Sequence, residues 1–351
     1  MKRKVSMQQI ADAVGVSKYA VSKALAGQVG VSAATRDKIV ETAKQLGYDK
    51  KIKSASKGFK QAVEQSVSAR TVAVLMPNVR YQTSDSTFWG EIMRGIATEL
   101  DARGVGMLMI TENTVEYFAH ILNPEGLLGI IGVGQIGTPI LLELQHRNIP
   151  FILTDHEESL IPCDTVFANN TDSMAMITAH LLGLGHRRFF FLGDAEYSRS
   201  FADRWAGFRN TLDMQGIELD QPPERLALSG NDWESNRQTV REWLVAYKEE
   251  RQLPTAWVCA NDDIALSVMY ILQEHGIRVP EEVSVSGFDN IDGSARSVPA
   301  LSTLDIDKSE MGRRAVRCLF DRLANPSSRL EKILLSCELV IRDSIGSPAY
   351  R

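Results

Sequence analysis

Gly132, Gly134 and Gly137 stand in a G-x-G-x-x-G pattern after the apolar run LLGII and before PILLELQHRN, with Asp155 eighteen residues beyond the last glycine. Glycines at that spacing let a strand-to-helix turn approach a pyrophosphate, and the acidic residue would take a ribose hydroxyl. The pattern closes the third apolar run rather than the first, Pro139 sits early in the helix, and no hydride-transfer constellation lies nearby. The same glycines would also serve a turn where strand and helix touch. Nucleotide binding through Gly132, Gly134 and Gly137 therefore stands as the alternative reading of the chain. His186, in LGHRR, has no Ser or Cys nucleophile to serve, which assigns it to a helix-strand turn. Cys163, Cys259, Cys318 and Cys337 are far apart, with no CxxC pair and no His at ligand spacing, and read as buried thiols rather than a metal site or disulfide frame. No catalytic constellation emerges: the residues describe a binding protein without metal or cofactor, not an enzyme.

Charge points to another chemistry. Residues 1–60 carry 13 Lys and Arg against 4 Asp and Glu, a surplus of nine positive charges that leaves the remainder at −14. A basic head on an acidic body is the footprint of a nucleic-acid-binding module, or of a solvated basic tail. The helical pattern decides between them. Ser6 and Gln9 form a Ser-x-x-Gln capping box, and Met7, Ile10, Ala11 and Val14 recur at helical spacing, which predicts a first helix from about Met7 to Val14. Gly15 suits a left-handed turn, and Ser17 caps a second helix with Val21 and Leu25 on its inner face. Ser32 caps a third, with Ile39, Ala43 and Leu46 as its apolar stripe. Three short helices around one small core make a helix-turn-helix unit. Its second helix exposes Lys18, Tyr19, Ser22 and Lys23, and with Ala20 at its N-terminal end it suits the major groove; Ser17, Ser32 and Thr35, at helix starts, suit phosphates.

VSMQQIADAVGVSKYAVSKALAG followed by VSAATRDKIVETAKQLGY resembles the head of the LacI/GalR repressor family. The resemblance implies that Lys18, Tyr19 and Lys23 read bases. After Tyr48 the polar, Lys-rich run DKKIKSASKGFKQAVEQSVSAR marks a boundary. The family's hinge helix lies here, announced by Pro-Asn and by a Leu that wedges into the minor groove; this chain has neither. Phe59 could supply such a wedge, or the segment is a plain tether, which predicts little operator bending. The expected organisation is a helix-turn-helix domain over 1–49, an atypical linker over 50–70 and an effector-binding and dimerisation domain over 71–351.

The body alternates apolar strands, TVAVLM, VGMLMI, LLGIIG, FILT, RFFFLG, TAWVCA and VSVSG, with helical stretches such as FWGEIMRGIATELDARG and DSMAMITAHLLGLG. Such alternation predicts parallel sheets covered on both faces, and so many units predict two doubly wound α/β subdomains with ligand in the cleft at the carboxyl ends of the strands. The fold class is thus an all-α head on a two-lobed α/β body, which the resemblance implies is periplasmic-binding-protein-like, type I. STFWGEIMRGI, HLLGLGHRRFFFLGD, DRWAGFRNTL, CANDDIAL, VSVSGFD and CELVIRDS extend the resemblance along the body. By that resemblance Arg204 grips the effector, Asp289, Asp155 and Asn261 are its polar partners, Trp233 is an aromatic platform, and Phe88 or Trp89 closes the opposite side. From the residues alone, Asp155, Asn261 and Asp289 read equally as helix caps, Arg204 as a surface ion-pair residue and Trp233 as core.

The function expected is a sequence-specific DNA-binding regulator, a repressor, whose affinity for a palindromic operator is set by a sugar-like effector between the lobes of a homodimer. A regulator answering to a partner protein is a further alternative that leaves no sequence mark. No run reaches the eighteen or so apolar residues of a spanning helix, and the basic start MKRKVSMQQ leads into an amphipathic stretch, so a cytoplasmic location is expected, away from membranes.

Overall fold

A computed structural model describes residues 6–18, 20–21, 35, 38–39, 42–43, 71–77, 87–111, 126–219, 221, 228, 233–250 and 253–348, without the side chains of 87, 233 and 246–250. The chain divides into two units, Met1–Ser68 and Ala69–Arg351. In the first, helix α1 spans Met7–Val14. Ile10, Ala11, Val21, Ile39 and Ala43 form its core, with Met7, Val14 and Val16 packed around them.

The second unit holds two parallel sheets. Strands β1 (Thr71–Leu75), β2 (Gly106–Ile110), β3 (Leu127–Val133), β4 (Phe151–Thr154) and β5 (Asp164–Ala168) enter the first, joined late by β10 (Lys332–Leu335), in the order β10-β5-β4-β3-β1-β2. The chain steps from the edge strand β2 back across β1 to β3, so the topological switch point lies at the carboxyl ends of β1 and β3. Successive side chains of a strand face opposite sides of a sheet. Accordingly Val72 and Val74 of β1 pack on one face with Ile92 and Ile96 of α2 (Thr87–Ala102), and Ala73 and Leu75 pack on the other with Ile140, Leu141 and Leu144 of α3 (Thr138–His146). Burial on both faces is why a central strand such as β1 reads as an unbroken apolar run, whereas the edge strands β2 and β10 are largely exposed or half-buried.

The second lobe contains α4 (Asn170–Gly183), β6 (Phe189–Leu192), α5 (Arg199–Met214), α6 (Trp233–Glu250), β7 (Ala256–Cys259), α7 (Asp262–Glu274), β8 (Ser284–Ser286) and the short α8 (Asp292–Arg296), with its strands in the order β6-β7-β8. The chain then runs through β9 (Thr303–Asp305) into α9 (Lys308–Ala324), which returns to the first lobe and packs on α2, and after β10 it comes back to pair β11 (Glu338–Val340) with β9. Three strands therefore connect the lobes: β5 leads out, β9 leads back, and β10 leads out again. At the α2–α9 crossing the two backbones touch: a Cβ on Gly95 would strike the Ser309 carbonyl, and one on Gly312 would strike that of Ile92.

His186 ties the start of β6 to the C-terminal segment, with Nδ1 2.9 Å from the Thr255 hydroxyl and Nε2 2.8 Å from the Gly346 carbonyl. Its place is structural, as expected. The four cysteines are free thiols; three are buried, but Cys163, in the loop before β5, is only half-buried. Among the described residues no helix is long and apolar enough to cross a membrane.

Candidate functional site

In the head, Ser6 and Gln9 form the expected capping box: Gln9 Oε1 accepts the Ser6 backbone N–H at 2.9 Å and Ser6 Oγ accepts that of Gln9 at 3.4 Å. Gly15 ends α1 in the left-handed region at φ 75°, where a Cβ is disfavoured. Ser17 Oγ accepts the Ala20 N–H at 3.1 Å, opening the next helical turn. Ser17 and Lys18 are exposed, Ala20 and Thr35 half-buried. Tyr19, Ser22, Lys23 and Ser32, and Phe59 in the linker, lie outside the described residues.

In the body, the hub is Arg204, on the second turn of α5 and only 3% exposed. Its Nε donates to Asn170 Oδ1 (2.8 Å), Nη1 to the Ala260 carbonyl (2.7 Å) and Nη2 to Asp289 Oδ1 (3.2 Å), while its plane lies 3.7 Å from the centre of the Phe288 ring. Guanidinium is planar, permanently charged and rich in donors, which suits it to a buried fork of this kind. The surface ion-pair reading of Arg204 is therefore wrong: it gathers the start of α4, the end of β7 and the loop after β8. Asp289 occupies a sparsely populated backbone region, φ 111°, which places its carboxyl at this hub; its neighbour Asn290 (φ 50°) is held by Asp305 and Arg342. Burial pushes the Asp289 carboxyl up, against the opposing charges of Arg204 and Lys308.

Asp155 ends β4 of the first lobe, also with positive φ (55°). Its Oδ1 accepts the hydroxyl of Ser200, on α5 of the second lobe, at 2.5 Å. Burial pushes its carboxyl up to about 6, although the Ser200 bond and the Arg204 charge pull it down. The residues after it alternate as an extended segment must. Asp155 and Glu157 meet Ser200 and Arg199 of the second lobe, while His156 and Glu158 turn to Ile136 and Thr138 of their own. Neither Asp155 nor Asp289 caps a helix. Asn261 does: its Oδ1 accepts the Ile264 N–H at 2.9 Å at the start of α7.

Phe88 and Trp89 begin α2, half-buried, their rings edge to face at 4.9 Å. Trp89 covers the glycine-rich turn, its ring 3.0 Å from where a Cβ on Gly134 (φ 69°) would stand. A Cβ on Gly132 would strike Ile136 and Leu153, and Gly137 precedes α3 with Pro139 in the first turn. Gly132 and Gly134 are thus accounted for by close packing of side chains from within the lobe, while a Cβ on Gly137 would meet only Pro139 at ordinary contact distance. Trp233 opens α6; its side chain lies outside the described residues. Sequence reasoning missed Asn170, Ser200 and Asp262. Asp262 accepts from the Ile291 N–H and from the Ser294 and Thr303 hydroxyls, fixing the loop that carries Asp289. The runs FANNTD and SRSFADRW give no periodic sign of such roles.

Residues 6–50 match the bacterial regulatory proteins of the lacI family, and residues 178–345 match the periplasmic binding protein-like domain. The chain is 27% identical over 349 residues to the HTH-type transcriptional repressor CytR of Escherichia coli strain K12, covering 97% of this chain and 96% of that protein. A structure of the transcriptional regulator CelR in complex with cellobiose superposes with a TM-score of 0.68 at 23% identity, covering 97% of this chain and 99% of that one. A LacI family regulator from Enterococcus faecium with bound ribose gives 0.64 at 25% identity, covering 79% and 99%. Capped head, two-lobed body and relatives agree: the chain belongs to the lacI family of bacterial regulatory proteins and is a DNA-binding transcriptional repressor, not an enzyme.

Proposed function

We propose that this repressor is a homodimer whose hold on a palindromic operator is set by a small sugar or sugar derivative taken up between the lobes. One observation carries the reading: Ser200 and Arg204, one helical turn apart on α5, hold Asp155 of the first lobe and Asp289 of the second. Carboxylate acceptors flanking a guanidinium are the complement of a ligand rich in hydroxyls. The relative with bound ribose supports the ligand class. Asn261, Trp233, Phe88 and Trp89 complete the proposed lining; Ser17, Lys18, Tyr19, Ala20, Ser22, Lys23, Ser32 and Thr35 form the proposed DNA face over 1–49, with 50–70 as linker and Phe59 as its candidate wedge. Ligand that closes the cleft rotates one lobe against the other and alters the spacing of the two heads, a coupling of about 1–3 kcal/mol. Release of DNA by ligand is the expected direction.

The test is a thermal-shift screen of the full chain against pentoses, hexoses, disaccharides, sugar phosphates, purines and NAD, since ligand raises native-state stability by mass action. A shift with one sugar class that is lost in Asp289→Asn is the expected result. A shift with NAD alone would restore the nucleotide reading, and silence throughout would favour control by a partner protein.

A further inference from the structure

Asp289 and Asn290 are consecutive non-glycine residues with positive φ, 111° and 50°, in the loop that follows β8. Such a backbone persists only where its surroundings over-determine it, and it clusters at ligand clamps and switches. The two side chains engage different parts of the fold. Asp289 meets Arg204 of α5, whose guanidinium also holds the start of α4 and the end of β7. Asn290 meets the segments that run between the lobes: its Nδ2 donates to Asp305 Oδ1 at 3.1 Å, and its Oδ1 accepts from Arg342 Nη2 at 2.7 Å. Asp305 closes β9, from which the chain passes into α9 of the first lobe, and Arg342 follows β11, which the chain reaches when it leaves that lobe for the last time.

The clamp is reinforced along the backbone. The Asp289 N–H donates to the Leu304 carbonyl at 2.9 Å and the Asn290 N–H to the Thr303 hydroxyl at 3.4 Å, and Asp289 bridges Asp305 in parallel, so the loop lies along β9. Arg342 gives a second N–H to the Leu301 carbonyl at 2.6 Å. Beyond Asn290 the loop is pinned to α7, where Asp262 accepts the Ile291 N–H and the hydroxyls of Ser294 and Thr303. A displacement of Asp289 is therefore passed by Asn290 to β9 and β11 together instead of being absorbed in a slack loop. The residue type fits this place. Of the residues that tolerate the left-handed region, glycine offers neither group and aspartate cannot donate to Asp305, whereas a carboxamide presents a donor to the carboxylate and an acceptor to the guanidinium at once.

We propose that Asn290 is the relay of the allosteric response, a positioning residue that couples Asp289 to the two segments on which the lobes turn, so that occupancy of the cleft alters the hold on DNA. The relay rests on the cleft being the effector site, and it names the residue through which that site acts. Its two arms, Asp305 and Arg342, make one element that moves as a unit, which is what a coupling between distant sites requires.

The experiment compares the full-length protein with Asn290→Gly, which keeps the left-handed backbone and removes both side-chain bonds. Each is titrated calorimetrically with ribose, glucose, galactose and cellobiose, and binding of a palindromic operator, selected from random DNA by the parent, is followed by anisotropy with and without the sugar that the parent binds. In the parent, that sugar should change operator affinity by about 5- to 150-fold. In Asn290→Gly it should bind within about threefold of the parent, while the change in operator affinity falls below about twofold. A merely structural support would weaken sugar or DNA binding and leave that ratio intact. Where Asn290→Gly does not fold, Asp305→Ala, which cuts the same clamp from β9, must show the same loss of ratio at retained sugar affinity. A variant that responds like the parent, or that loses sugar binding together with its response, overturns the relay while leaving the effector site standing. A parent that binds no sugar of the panel, or binds one with operator affinity unchanged, overturns the effector reading and the relay with it.

Discussion

Ser200 Oγ donates to Asp155 Oδ1 at 2.5 Å, joining α5 of one lobe to the end of β4 of the other. The bond stands beside the Arg199–Glu157 ion pair, so adjacent residues of α5 grip alternate residues of the β4 loop. Ser200→Ala leaves a buried carboxylate without its donor, and a loss of about 1–3 kcal/mol in urea unfolding of the body is expected. An unchanged midpoint would mean that the lobes are held together elsewhere.

Asp155 also sets a pH dependence. Its folded pKa of about 6 lies above the ordinary carboxylate value, so the folded chain binds the proton more tightly than the unfolded one. The group's contribution to stability is therefore fully present below the ordinary value and is lost as pH rises toward about 6. Asp155→Asn, which carries no charge to bury, should gain on the parent as pH rises from 4 to 7. Denaturant titrations at several pH values would show it, and a constant difference between the two proteins would contradict the assignment.

Arg204→Ala removes the cation from a buried pair and strands Asn170, the Ala260 carbonyl and Asp289 together, at an expected cost of about 3–5 kcal/mol. Asp289→Asn keeps a hydrogen-bond acceptor for Arg204 and should cost less. Loss of ligand response in Arg204→Ala accordingly tests folding as much as binding, and Asp289→Asn is the variant that separates them. Equal destabilisation by both would show that the aspartate is only a structural partner.

Gly132→Ala should destabilise the first lobe by about 1–3 kcal/mol through overpacking against Ile136 and Leu153, and on the proposed reading of the turn as a packing element it should leave NAD binding no weaker than in the parent. Detectable NAD affinity in the parent, lost in the variant, would reverse that assignment.

In the head, Ser6→Ala breaks the capping box and should cost about 1 kcal/mol of head stability. Lys18→Ala, on the exposed start of the second helix, should lower the salt slope of operator binding by about one unit or relax base preference. A variant with the parent's slope and preference would remove Lys18 from the interface.

What was legible in the sequence divides along physical lines. α1 and its capping box follow from neighbours in the chain, and six of the seven apolar runs read correctly because a strand buried on both faces leaves an unbroken signature, while the edge strand β2 is apolar although Met107 and Met109 are exposed. DTVFA and KILL, which become β5 and β10, escaped notice: β5 opens on Asp164, whose partners are Arg322 of α9 and the Glu331 backbone N–H, both far along the chain, and the side chains of β10 alternate between exposed and half-buried. Asp155, Asp289 and Arg204 were singled out as effector residues by resemblance, while the sequence alone left them as caps and a surface charge. Their partners sit 34 to 85 residues away, at separations where no periodicity operates. Asn261 does cap a helix, as its spacing before Ile264 allowed.

The central claim is that a polyhydroxylated ligand in the cleft governs the hold on DNA. The direct measurement is binding of a palindromic sequence, selected from random DNA by the full-length protein, followed by fluorescence anisotropy with and without the sugar found by the screen. A change of about 5- to 150-fold in affinity that is absent in Asp289→Asn is predicted. An affinity that the bound sugar leaves unchanged would contradict the account.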